Sequence, residues 1–327
     1  CLMPLTSQDI EPALQLWPAL SGARTELVNY SENHTFKIDT LDNRCFSLRI
    51  HRTGYQSVQS IESELAWLQA LRRDTDLPVP EPVPSSAGKL LENFTGRDGT
   101  QRMAVLFRHI PGIEPTPESN LGELFGTLGT YAATLHQHVT QWDRPASFER
   151  QSWRAGSILD VEGTWGDWRA APGINASNRA VLDSLDAALW QRLGDYGIGA
   201  DRYGLIHADM RLGNVLVDGD HVALIDFDDC GFCWFTYDFA AAISFHETNP
   251  AIPALKAAWL ERYQAVRPLS AEDIASIDSM IMLRRMALLA WIGSHAETKL
   301  AQLHMPGFAD GTAELAERYL RGAIWPQ

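Results

Sequence analysis

Lysine is scarce in this 327-residue chain, contributing only four of its 27 Lys+Arg residues. Against 41 Asp+Glu these leave a formal net charge of −14. A surface of that sign repels phosphate backbones and argues against general nucleic-acid binding. Cysteine is also sparse, at Cys1, Cys45, Cys230 and Cys233. That is no disulfide framework, and it fits a reducing cytoplasm. No apolar run reaches the roughly 18 residues of a transmembrane helix. The best candidate, 280–293, is short and carries Arg284 and Arg285, so no membrane partner is expected. The opening Cys1-Leu2-Met3-Pro4 has neither the basic start nor the apolar core of a signal peptide, and the expected location is the cytoplasm. Internal repeats and low-complexity tracts are absent.

What is present is ordinary for a protein that can bury a core: 45% apolar and 21% charged residues. Early segments read as strands. Residues 33–38 and 44–52 flank the turn Leu41-Asp42-Asn43. In the second, Phe46, Leu48 and Ile50 alternate with Cys45, Ser47, Arg49 and His51, so Arg49 stands on the face opposite the apolar one. Ile61, Leu65, Leu68 and Leu71 recur at helical spacing over 61–71, with Glu64 beside them. The proline-rich run 77–84 breaks the chain. Residues 103–107 form an apolar strand that ends at His109-Ile110-Pro111-Gly112.

Beyond that point the pattern turns helical, over 121–138, 177–196, 239–246, 251–265, 271–297 and 312–320. Ser177 is a candidate N-cap and Gly197 a stop. The irregular stretch 142–175 holds Trp142, Trp153, Trp165 and Trp168. Two short apolar runs, 214–217 and 222–227, flank Asp218-Gly219-Asp220 as a hairpin. The expected fold class is α+β in two lobes, a sheet-rich first and a larger, mainly helical second.

The chemistry concentrates in His207-Ala208-Asp209-Met210-Arg211-Leu212-Gly213-Asn214, followed across the hairpin by Ile225-Asp226-Phe227-Asp228. H-x-D-x₄-N and then I-D-F is a spacing suited to phosphoryl transfer. A loop carboxylate, Asp209, can accept the proton of an attacking alcohol. Asn214 offers an amide oxygen and Asp226 a carboxylate, the hard donors that Mg²⁺ takes, and the hairpin is expected to bring these two together. Arg211 can serve the transferring phosphoryl as a fixed cation, or form a surface ion pair.

These residues, with Tyr237-Asp238-Phe239-Ala240 downstream, resemble the aminoglycoside phosphotransferase/choline kinase superfamily, which includes type II homoserine kinases, hydroxylysine kinases and stress-response kinases. The resemblance covers nearly the whole chain. It implies a bilobal protein-kinase-like fold, with a nucleotide-covering N-lobe over 1–107, a hinge at 108–112 and a C-lobe over 113–327. It implies ATP and Mg²⁺ as cofactors and a small-molecule substrate. Residues 29–36 resemble the loop over the nucleotide, with Ser31 and Asn33 as candidate contacts. Arg49 matches the third-strand cation on the phosphates and Glu64 its helical partner. The backbone of Arg108 and Ile110 would meet the adenine edge. Asp238 matches a carboxylate that braces the catalytic loop.

Two departures stand out. No G-x-G-x-x-G precedes the third strand, and arginine replaces the usual lysine at position 49. No room exists between Asp226 and Asp238 for an activation loop, which argues against a gated protein kinase.

Other readings compete at several positions. Glu62 could partner Arg49 instead of Glu64, and Arg49 could be a surface strand residue. His207 braces the loop or moves protons. Asp228 ligates a second metal, contacts substrate or faces solvent. The tryptophan segment packs a core or meets an alkylammonium. Cys230-x-x-Cys233 reads as packing, since a lone pair builds no zinc site. The expected function is ATP- and Mg²⁺-dependent phosphorylation of a hydroxyl on a small polar, amine-bearing molecule. The acidic Asp228 and Asp229 motivate the amine. The alternatives are a Ser/Thr protein kinase of the stress-response type and a nucleotide-binding pseudokinase.

Overall fold

The computed structural model describes residues 5–30, 33–322 and 324–325. In chain order the elements begin with α1 (Glu11–Leu14), β1 (Arg24–Tyr30), β2 (Asn33–Asp39), β3 (Cys45–His51) and α2 (Val58–Asp74). Then come β4 (Pro82–Val83), β5 (Leu91–Thr95), β6 (Gln101–Arg108), α3 (Leu121–Gln141), α4 (Ala155–Leu159) and α5 (Ala176–Tyr196). Next are β7 (Tyr203–Ile206), β8 (Val215–Asp218), β9 (His221–Leu224), β10 (Gly231–Trp234) and α6 (Tyr237–Ala242). Helices α7 (Ile252–Val266), α8 (Ala271–Ser294), α9 (Lys299–His304) and α10 (Phe308–Leu320) complete the chain. The class is the α+β fold expected, with an antiparallel sheet in the N-terminal part and helices dominating thereafter.

The chain divides into two compact units. The first comprises Cys1–Ile113, Asp143–Arg150 and Leu216–Asp228. Its antiparallel sheet runs β1-β2-β3-β6-β4, with β5 also on β6. Alternation on β3 sends Phe46, Leu48 and Ile50 into a core with Trp17, Phe36 and Leu106. On the opposite face of the same strand the last two positions are closed to water as well. Arg49 is 6% exposed and His51 2%. Helix α2 starts at Ser57, whose hydroxyl accepts the Ser60 amide at 3.0 Å. The helix buries Ile61, Leu65, Leu68 and Leu71, as their spacing predicts, with Glu64 buried among them.

The hairpin β8–β9 is pinned to the chain that leads out of the sheet. Ile113 and Val217 exchange two backbone bonds of 3.0 Å each. Gly112 makes this approach possible. A Cβ there would lie 3.0 Å from Leu216 Cβ and from the Val217 nitrogen.

The second unit comprises Glu114–Trp142, Gln151–Val215 and Asp229–Gln327. Helices α3 and α7 pack so closely that a Cβ at Gly129 would meet the Trp259 carbonyl oxygen at 2.3 Å. Helix α8 is buried nearly all round, including Met280, Met282, Met286 and Leu289. Strands β7 and β10 pair antiparallel beside them. The cap of α5 is Asn175, not Ser177: its side chain accepts the Ser177 and Asn178 amides. Asn caps as well as Ser and lies two positions earlier. Within 142–175, Trp153, Trp165 and Trp168 are buried in packing, and Trp142 is half-buried. Cys233 is buried too, and its thiol donates to the Trp153 carbonyl at 3.1 Å.

Candidate functional site

In the first unit Arg49 reaches α2. One guanidinium nitrogen donates to both Glu64 oxygens at 2.7 Å each. Glu64 is 1% exposed, whereas Glu62 faces solvent, which settles the partner. Burial raises the Glu64 carboxyl above its ordinary range although Arg49 opposes it. The other prong of Arg49 lies 3.6 Å from Asp226 Oδ1 and 4.0 Å from Asp228 Oδ1.

Asp226 has φ of +60°. A non-glycine residue in that region is held there by its surroundings. Phe227 supplies one anchor, its ring set edge-on to Trp67 of α2 at 5.4 Å. Asp226 keeps its side chain 40% exposed, while the next carboxylate turns inward.

Asp228 is 4% exposed and accepts Asn33 Nδ2 at 2.9 Å. Its main-chain carbonyl accepts Arg150 and, at 3.3 Å, Gln56. Burial opposes its charge, but Arg49, His51 and Arg150 outweigh that and hold the carboxyl below its usual range. Asp228 is therefore no solvent-facing carboxylate: Oδ2 is taken by Asn33, while the buried Oδ1 has Arg49 and His51 near it but no hydrogen bond.

Asn33 stands opposite His51 in the β2–β3 register. Its amide is committed at both ends, to Asp228 and, at 3.3 Å, to the Arg52 nitrogen. The side chain is thus held inside its own unit. Ser31 lies outside the described residues. The Arg108 amide donates to the Glu81 carbonyl at 2.9 Å, and its guanidinium pairs with the Glu81 carboxylate at 2.9 Å. That donor is thus already used at the expected hinge. Ile110 follows β6 in irregular chain.

In the second unit the loop after β7 is bent around Ala208, whose φ is +67°. Asp238, fully buried at the start of α6, accepts the Ala208 amide at 2.8 Å and the His207 amide at 3.3 Å. His136 Nε2 donates to the same carboxylate at 2.8 Å, leaving Nδ1 to accept the Tyr263 hydroxyl at 2.8 Å. His207 braces the loop, its Nδ1 accepting the Asp209 amide at 3.2 Å.

Asp209 emerges from this loop with a side chain 14% exposed. Its Oδ2 accepts Asn214 Nδ2 at 2.6 Å and faces Arg211 Nε at 3.3 Å. Its Oδ1 accepts Arg284 Nη2 from α8. Burial works against its charge, yet Arg284, Arg211 and His207 together hold the carboxyl below the ordinary range. Asn214 Nδ2 also donates to the Asp209 carbonyl at 2.9 Å, so the amide oxygen is the end left to face a metal.

Asn214 and Asp226 supply hard oxygen donors of the type Mg²⁺ takes. Among the described residues no group of three His, Cys, Asp or Glu side chains could hold a metal alone. Arg284 was not legible as a site residue: its only signal was a charge inside an apolar helical stretch.

A sheet-and-helix first unit and a helical second unit whose loop carries H-x-D-x₄-N define the class: a phosphotransferase enzyme of protein-kinase-like fold. The chain matches the phosphotransferase enzyme family (APH) over residues 25–271, and it belongs to that family. The structure of a microcompartment-associated aminopropanol kinase is similar, with 41% identity, a TM-score of 0.87, and coverage of 94% of this chain and 96% of that one. Amicoumacin kinase of Bacillus subtilis is 29% identical over 71% of this chain, and the match spans 66% of that relative, just under two thirds. Homoserine kinase of Gluconobacter oxydans is 29% identical over 72% of this chain and 73% of its own length. No helix among the described residues is long and apolar enough to cross a membrane.

Proposed function

We propose that the chain is a cytoplasmic, ATP- and Mg²⁺-dependent kinase that phosphorylates the hydroxyl of a small amino alcohol of the aminopropanol type. The observation that carries the chemistry is Asp209: a carboxylate kept ionised, partly open to solvent, on a loop braced from Asp238. The amino alcohol rests on the 41% identity to the aminopropanol kinase over 94% of the chain.

In this reading the acceptor oxygen forms a bond to the γ-phosphorus as the bond from that phosphorus to the ADP oxygen breaks. The hydroxyl proton passes to Asp209. Arg211, beside that carboxylate, presents its fixed charge to the transferring group. Asn214 holds Asp209 through its amide nitrogen, which leaves its oxygen as the donor the second unit would offer a metal, and the exposed Asp226 carboxylate is the donor the first unit would offer. Bound Mg²⁺ neutralises charge on the phosphates. Arg49, fixed by Glu64, takes the phosphates of the nucleotide.

The test is release of ADP from Mg-ATP in the presence of aminopropanol, homoserine and amicoumacin, with the phosphorylated product identified by phosphorus NMR. Transfer to aminopropanol at the highest kcat/KM is expected. Preferred transfer to homoserine or amicoumacin would overturn the acceptor, and no transfer to any alcohol would overturn the chemistry.

A further inference from the structure

The last four turns of helix α8 are apolar where they are buried, except for two adjacent arginines. Arg285 is occupied by Glu247 at 2.8 Å, by the Thr312 hydroxyl at 2.8 Å and by the Phe308 carbonyl at 3.1 Å. Those contacts tie α8 to α10 and to the chain after α6. Arg284, 2% exposed, points elsewhere. Its Nη2 donates to Asp209 Oδ1, its Nη1 to the Ala208 carbonyl at 3.3 Å, and its Nε to the Ser244 hydroxyl at 2.9 Å. The rings of Trp165 and Tyr237 lie 5.6 and 6.0 Å from its central carbon.

Burying a guanidinium costs more in desolvation than a well-packed apolar side chain would, so stability alone is a poor reason for an arginine here. Its two prongs fall on consecutive groups of one loop, the Ala208 carbonyl and the Asp209 carboxylate. Ala208 is also the residue of this loop with left-handed backbone. Asp238 holds that residue by its amide, and Arg284 holds it by its carbonyl. The loop is clamped from both sides, and the clamp on the α8 side ends on the carboxylate itself.

We propose that Arg284 is a positioning residue for phosphoryl transfer: its fork, fixed by Ser244 and the two rings, sets the direction in which the Asp209 carboxylate faces the acceptor hydroxyl. The proposal rests on the reading of Asp209 as the group that accepts the hydroxyl proton. Arg284 acts through Asp209, so its removal lowers turnover and leaves nucleotide binding alone. Lysine keeps the charge but presents one point where arginine presents a fork, so it restores only part of the function.

The experiment compares wild type, Arg284→Met, Arg284→Lys and Ser244→Ala in the full chain. ADP release from Mg-ATP is read with and without aminopropanol, nucleotide affinity by calorimetry, and folding by thermal melting. Arg284→Met is expected to lower kcat about 100-fold with the nucleotide KM and affinity within about threefold, because a misplaced catalytic group costs turnover more than binding. Arg284→Lys should recover part of that loss, and Ser244→Ala should lower kcat by about three- to tenfold while the charge stays in place. Release of phosphate to water, which needs no identified acceptor, should follow the same order.

Should Arg284→Met fail to fold, the folded Lys and Ala variants decide: wild-type kcat in both overturns the proposal. Equal losses in kcat and in nucleotide affinity would make Arg284 merely structural and also overturn it. Asp209→Asn run in parallel separates the two readings. If that variant retains wild-type turnover, Asp209 is not the proton acceptor. If it is inactive while Arg284→Met turns over normally, only the role of Arg284 is lost.

Discussion

Replacing Glu64 by glutamine tests how the first unit holds its cation. The side chain keeps its shape but loses the charge that faces Arg49 from 2.7 Å, with both partners almost wholly buried. Breaking a buried pair from one side costs about 3–5 kcal/mol, because the remaining charge is left in a poor solvent. Arg49 retains Asp226 at 3.6 Å and Asp228 at 4.0 Å. These soften the loss, which places the expected cost near the lower end, about 3 kcal/mol. The freed guanidinium swings toward the two aspartates, so nucleotide affinity should fall as well. Urea unfolding followed by tryptophan fluorescence measures the first effect, and calorimetry with ATP the second. The paired substitution Glu64→Met with Arg49→Met removes both charges and should be more stable than either single variant. A Glu64→Gln protein within about 0.5 kcal/mol of wild type would refute the reasoning, since that is the range of ordinary surface changes.

Acid should weaken the first unit through His51, whose pKa burial and the adjacent Arg49 push from 6.5 down to about 3. The unfolded chain binds this proton first, so the stabilisation is complete above pH 6.5 and is lost as pH falls toward 3. By linkage the loss at pH 5 is roughly 2 kcal/mol. His51→Phe should flatten that part of the pH–stability curve, and an unchanged slope would contradict the assignment. At Ala208 the left-handed backbone predicts opposite outcomes for two substitutions. Valine should cost about 2 kcal/mol or more, and glycine should be neutral or mildly stabilising, as read by thermal melting. Equal effects would mean that the bend at this position is not strained.

Much of this was legible because local chemistry and global fold agree. Alternation in 44–52 placed Arg49 away from the apolar face, and the spacing of Ile61, Leu65 and Leu68 placed Glu64 on a buried helix side. H-x-D-x₄-N marked the loop that Asp238 braces. Less was legible where pairing decides structure. Strand β1 has only exposed and half-buried residues, so no alternation announced it, and its place comes from β2. Strands β7 and β10 are four residues each and exist through one another. Asp228 looked like a second acidic ligand because sequence shows charge but not direction. Asn33, far away in the chain, turns it inward. Arg284 was hidden for the same reason, its partner lying 75 residues away.

The central claim is that Asp209 accepts the hydroxyl proton of an alcohol as it attacks ATP. Asp209→Asn keeps the size of the side chain and removes its basicity. Single-turnover transfer from Mg-ATP to aminopropanol, with nucleotide affinity measured on the same sample, is the direct test. A loss of about 10²-fold or more in transfer, with affinity for ATP unchanged, is the result predicted. Transfer at the wild-type rate would contradict the account.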